Sequence, residues 1–274
     1  MKIKKNKFKE YFSELLKTEI GNPKSYFGCW NGLVDTIAAE IIAGAGFDWI
    51  LIDGEHAPFD LRTIQFQLQA LGQFDTPVLV RPPHGDSNLI KQLLDIGVQS
   101  LVIPMVETAG QAAELYKAMQ YPPIGIRGVG TALARAAQWN RVDNYFNTAG
   151  DEMCLIVQIE SIKGIENLES IIATEGVDGV FIGPSDLAAS MGFIGQADRA
   201  EVKAEVENAL KTIRKAGKIA GVMVIGNQPL VEKYAGFGAN MIAIAIDTLL
   251  LANAAKQTAL IYTQSADIQS NTKY

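Results

Sequence analysis

Eight short apolar runs, each followed by a helix-length stretch, constrain this chain more than any other feature of its sequence. The runs are Tyr26–Trp30, Trp49–Asp53, Val78–Arg81, Ser100–Pro104, Cys154–Glu160, Gly179–Gly183, Ile219–Val224 and Met241–Ile246. They are too short for helices and continuously apolar, the pattern of strands buried on both faces. Helical periodicity fills much of the space between them, over Gly32–Ala45, Asp60–Leu71, Asn88–Ile96, Ala109–Met119 and Arg199–Ala216. Gly46, Gly72, Gly97 and Gly217 stand where helices end. Eight strand–helix units in 274 residues predict an α/β fold, a (β/α)8 TIM barrel, rather than a doubly wound sheet with a glycine-rich first turn. An extra helix is expected within residues 1–20, the barrel over 21–264 and a polar tail over 265–274.

Composition narrows the setting. A net charge of −6 argues against a nucleic-acid partner. No apolar run approaches the ~18 residues of a membrane span, so no membrane partner is expected. The basic start, Met1 to Glu10, has no apolar signal core after it, which favours a cytoplasmic protein. Cys29 and Cys154 lie inside apolar runs and read as buried thiols rather than a disulfide.

Barrel enzymes work at the C-terminal ends of their strands. Read there, strand two ends Asp53-Gly54-Glu55-His56, strand three ends in Arg81, and strand five ends Gln158-Ile159-Glu160. Strand six runs into Gly183-Pro184-Ser185-Asp186 and strand eight into Asp247. Carboxylates without clustered His or Cys suit a hard divalent ion such as Mg²⁺ or Mn²⁺. Glu160 and Asp186, from neighbouring strands, are the candidate metal ligands. Pro184-Ser185-Asp186 also has the form of a helix start, whose amides suit an anion beside that ion. A 2-oxo acid carries both a carboxylate and a keto oxygen. None of the eight runs contains a lysine, which disfavours imine chemistry.

Two features point less sharply. Gly125-Ile126-Arg127-Gly128-Val129-Gly130 has the wrong glycine spacing for a dinucleotide fingerprint. It is expected to be a mobile loop, with Arg127 free to meet a second substrate carboxylate. His84 reads as a solvated loop histidine.

Four segments resemble the HpcH/HpaI aldolase family: Gly46 to Pro58 around Asp53 and His56, Tyr121 to Gly130, Gln158 to Ser161, and Gly176 to Leu187. The resemblance runs from about residue 25 to 260. It implies a metal-dependent, pyruvate-specific aldolase using Mg²⁺, Mn²⁺ or Co²⁺, acting on hydroxy-oxo diacids or deoxy-keto sugar acids. It implies Glu160 and Asp186 as metal ligands, Arg81 as the pyruvate and enolate contact and His56 as the acid–base group. Asp53, Gln158, Ser185 and Trp30 would contact substrate. Asp95 would reach His56 of a neighbouring subunit in a homo-hexamer built as a trimer of dimers. Val34-Asp35 after Trp30-Asn31-Gly32-Leu33, and Ala245 before Asp247, depart from the family pattern near the aldehyde side.

The expected reaction is reversible cleavage of a 4-hydroxy-2-oxo acid to pyruvate and an aldehyde. Decarboxylation of oxaloacetate, which gives the same enolate, and binding of 2-oxo acids without turnover are the alternatives.

Overall fold

The computed structural model describes residues 1–17 and 24–263; the expected tail at 265–274 lies outside them. Its eight parallel strands close into a barrel in sequence order. They are β1 Tyr26–Asn31, β2 Trp49–Asp53, β3 Val78–Arg81, β4 Ser100–Ile103, β5 Cys154–Ile159, β6 Val177–Ile182, β7 Ile219–Met223 and β8 Met241–Ile246. The helices are α1 Lys7–Leu15, α2 Thr36–Ala43, α3 Leu61–Ala70, α4 Ser87–Ile96, α5 Ala109–Met119, α6 Tyr145–Thr148, α7 Ile162–Glu166, α8 Leu168–Ile172, α9 Pro184–Ser190, α10 Ala200–Lys215, α11 Gln228–Gly236 and α12 Asp247–Thr263. The fold is the (β/α)8 barrel that the alternation predicted.

Two large apolar cores hold it, with a smaller cluster around Tyr121 and Tyr145. Between strands and helices, residues such as Ile50, Ile52, Val80, Leu93, Leu155, Val180 and Val206 are fully buried. Inside the barrel, Trp30, Trp49, Leu51, Leu79, Ile156, Phe181 and Met241 fill the lumen, so it is packed rather than hollow. The expected extra helix is α1, and its Phe8 and Phe12 belong to that interior core. They stopper the N-terminal end of the barrel. Cys29 and Cys154 are free and buried, and burial pushes the Cys29 thiol up to about 12.

Some boundaries differ from expectation for visible reasons. Strand β6 begins at Val177, two residues early, because the carboxylate of Asp178 accepts from Leu155 N at 2.8 Å and so is tolerated in the strand. Helix α2 starts only at Thr36, since Asp35 caps it by accepting from Ala38 N at 2.9 Å. Gly97 closes α4 with φ 107°, in the left-handed region where glycine is favoured. Gly72 instead lies in a short 3₁₀ turn, Leu71–Gln73.

Candidate active site

The rim of the barrel is organised around Arg81. Asp53 and Arg81 stand opposite each other in register at the ends of β2 and β3. Arg81 Nε donates to Asp53 Oδ1 at 2.8 Å and Nη2 to Oδ2 at 2.7 Å, a fork-to-fork pair with both side chains buried. Its Nη1 lies 2.8 Å from Glu55 Oε2 and donates to Gln158 Oε1 at 3.4 Å. The Trp30 ring covers the guanidinium, 5.2 Å from Cζ to centroid. Gly54 lets the turn after β2 sit this close: its N donates to Arg81 O at 2.7 Å, and a Cβ there would lie 2.8 Å from that oxygen.

Gln158 links this cation to Glu160. Its Nε2 donates to Glu160 Oε2, while Glu160 Oε1 accepts from Met105 N at 2.9 Å. Met105 supplies that N–H from a left-handed conformation, φ 53°, a cost met at functional sites more often than elsewhere. Gly183 leaves room for the carboxylate, since a Cβ there would stand 2.5 Å from Glu160 Oε2. Burial is the main force raising the Glu160 pKa, and the charges of Asp186 and Glu55 add to it. Glu55 is likewise raised chiefly by burial, against the pull of Arg81. A buried carboxylate raised in this way is an oxygen donor that a hard divalent cation would suit. Among the described residues no group of three or more His, Cys, Asp or Glu could hold a metal ion. An ion on Glu160 and Asp186 would therefore draw its other ligands from substrate and water.

The remaining rim residues divide. Helix α9 starts at Pro184 as expected, and Ser185 and Asp186 are exposed in its first turn. His56 is open to solvent, its side chain 67% exposed, with Nε2 3.8 Å from Glu55 Oε2. Asp247 faces the protein instead: its oxygens accept from Gly32 N at 2.8 Å and Leu33 N at 3.0 Å. His84 is exposed. Lys163 pairs with Glu107 and Lys218 donates to Val177 O, so neither enters the barrel.

Arg127 requires a correction. It is not a free cation on a mobile loop but one of the largest fully buried side chains. Nη2 donates to Asp95 Oδ1 at 2.9 Å, and the guanidinium carbon lies 4.7 Å from the Tyr121 ring and 5.9 Å from Tyr145. Residues 120–153 lead into the N-terminal end of β5, where Glu152 accepts from Asn6 N at 2.8 Å. Arg127 thus belongs to the end of the barrel opposite the rim. Asp95, near the C-terminal end of α4, is there with it.

The structure brings together Asp53, Arg81, Gln158 and Glu160, which sequence reasoning singled out because they lie at or beside the ends of β2, β3 and β5. Sequence reasoning passed over Glu55 as an arginine partner, although its position two residues beyond Asp53 was the available signal. The amide of Met105 left no signal.

A filled parallel barrel with a buried, forked arginine and carboxylates at its C-terminal rim is the frame of a barrel enzyme. The HpcH/HpaI aldolase/citrate lyase family profile matches residues 26–254. The chain is 52% identical over 247 residues to a hydroxypyruvate/pyruvate aldolase of Deinococcus radiodurans, covering 90% of this chain and 89% of that one. It is 49% identical over 251 residues to a 4-hydroxy-2-oxo-heptane-1,7-dioate aldolase of Salmonella paratyphi C, covering 92% and 94%. The crystal structure of a family protein from Burkholderia cenocepacia superposes with a TM-score of 0.85 at 34% identity, covering 93% and 99%. The chain belongs to the HpcH/HpaI aldolase/citrate lyase family and is a carbon–carbon lyase of the aldolase kind.

Proposed function

We propose that the chain catalyses reversible aldol cleavage of 4-hydroxy-2-oxo acids to pyruvate and an aldehyde, with Mg²⁺, Mn²⁺ or Co²⁺ held by Glu160 and Asp186. The observation that carries this reading is the hydrogen-bonded chain Asp53–Arg81–Gln158–Glu160. It ties a fixed cation to a candidate ion ligand across three strand ends. A divalent ion there supplies Lewis acidity toward a bound 2-oxo acid. Hydroxy-oxo diacids and deoxy-keto sugar acids are the substrate types, the first in keeping with the name of the Salmonella relative.

Arg81 stabilises negative charge as the enolate of pyruvate develops. Asp53 grips it on one edge and Trp30 covers its face, so it needs no reorganisation during the reaction. The first-turn amides at Ser185 and Asp186 orient the substrate carboxylate. His56 takes the C4 hydroxyl proton in cleavage and returns it in condensation. Its exposure leaves room for a second copy to supply an acceptor. Asp95 is the candidate, in a homo-hexamer arranged as a trimer of dimers. Within one chain the two residues lie at opposite ends of the barrel, so a contact between them would need another subunit. Among the described residues no helix is long and apolar enough to cross a membrane. Free Cys29 and Cys154 accord with a cytoplasmic setting.

Pyruvate release, followed with a coupled dehydrogenase, tests the reading on a hydroxy-oxo acid and on oxaloacetate. Turnover of the first supports aldol cleavage. Turnover of oxaloacetate alone makes the chain a decarboxylase, and turnover of neither makes it a binding protein.

A further inference from the structure

Gln67 sits in the middle of α3 and is 1% exposed. A buried primary amide is costly unless its donors and acceptor are used. Here every bond goes to one short segment. Oε1 accepts from Asn31 Nδ2 at 2.7 Å, and Nε2 donates to Leu33 O and Asp35 O, both at 3.1 Å. Asp247 holds the same segment from the other side, through the amides of Gly32 and Leu33. The connection from β1 to α2 is therefore clamped between α3 and the end of β8. The turn at Val34-Asp35 is thus held in place, and the Asp35 carboxylate is spent as the cap of α2.

This clamped segment borders the reacting end of the site. It follows Trp30, whose ring covers Arg81. A Cβ built on Gly32 would lie 3.8 Å from the Ala57 side chain, so the segment abuts the residue after His56. In aldol chemistry the C4 hydroxyl faces the acid–base group, and the rest of the aldehyde is bonded to that same C4 carbon. The half-buried Leu33 and exposed Val34 belong to this segment.

We infer that Gln67 is a positioning residue for acceptor selection: by fixing residues 31–35 beside His56, it sets which aldehydes the enzyme accepts. Enclosed behind that segment, it acts through residues 31–35. The inference rests on the aldolase reading above and adds to it a residue of α3, away from the strand ends.

The test separates the two halves of the reaction. Exchange of pyruvate methyl protons in D2O with Mg²⁺ present reports enolate formation alone. Condensation with glycolaldehyde and with succinic semialdehyde reports the acceptor side. In Gln67→Met, exchange should stay within about twofold of native while the ratio of kcat/KM for the two aldehydes shifts about tenfold or more. Gln67→Glu keeps the acceptor for Asn31 but sets a carboxylate oxygen against the carbonyls of Leu33 and Asp35, so it should push the segment away and shift the ratio even where the Met variant folds poorly. An unchanged ratio overturns the inference. So does a parallel fall of exchange and both condensations, or the failure of both variants to fold, since each marks Gln67 as structural. Native protein that exchanges no pyruvate protons removes the aldolase reading itself.

Discussion

Arg127 and Asp95 form an ion pair in which the guanidinium is completely enclosed while the carboxylate remains 35% exposed. Tyr121 and Tyr145 flank the cation, so the pair anchors the long connection between α5 and β5 to helix α4. Arg127→Ala opens a cavity between two aromatic rings and strands Asp95. We expect a loss of roughly 2–4 kcal/mol in urea unfolding, less than a fully enclosed pair would lose because Asp95 is partly solvated. The preference for carboxylate-bearing over neutral aldehydes should not change. A selective loss of the charged acceptors would return Arg127 to the substrate.

Arg81→Lys keeps the positive charge but loses the two parallel bonds to Asp53. A lysine cannot hold the same position between Asp53, Glu55 and Trp30. The drop in kcat should be about 10²-fold or more, the scale of a lost preorganised donor. Steady-state kinetics with native-like circular dichroism would establish it, and near-native turnover would show that the fork has no catalytic purpose.

His56→Ala should slow aldol cleavage more than oxaloacetate decarboxylation. Both reactions produce the pyruvate enolate, but only cleavage has a C4 hydroxyl to deprotonate. The difference at stake is roughly 10²–10⁴-fold. Equal losses in the two assays would move His56 from base to some role shared by both reactions.

Chelation should abolish turnover, and Mg²⁺, Mn²⁺ or Co²⁺ should restore it. Borohydride with pyruvate should trap no lysine adduct. A second signature follows from Glu55 and Glu160, both raised mainly by burial. An acid whose pKa is higher folded than unfolded favours the fold while protonated. The ion-free protein should therefore lose stability as pH climbs from the ordinary carboxylate range through the raised values. The gain in Tm from Mg²⁺ should grow across that same window, in melts with and without chelator. A gain independent of pH would mean that the ion binds elsewhere.

The barrel was legible in the sequence because strands buried on both faces need unbroken apolar runs, and seven of the eight starts were placed correctly. Asp178 hid the start of β6, since a partnered carboxylate inside a strand reads as a break. The rim was legible because chemistry in this fold gathers at strand ends, where Asp53, Arg81 and Glu160 stand. Arg127 was misread for a physical reason. Glycines beside a cation look like mobility, whereas its cage comes from Tyr121, Tyr145 and Asp95, contacts with no local pattern. Gln67 is one glutamine among several on α3, and only the fold reveals that its amide grips another segment.

The aromatic filling of the lumen, closed below by Phe8 and Phe12, makes the site a blind well with one mouth. Traffic through such a well has an order. On the aldolase reading, pyruvate seated against Arg81 and Glu160 would lie beneath the aldehyde, entering before it in condensation and leaving after it in cleavage. That order would make the enzyme a sequential machine with a compulsory first guest. Accumulated pyruvate would then compete directly with the substrate acid for the empty well, whereas accumulated aldehyde would find its place only after pyruvate is seated.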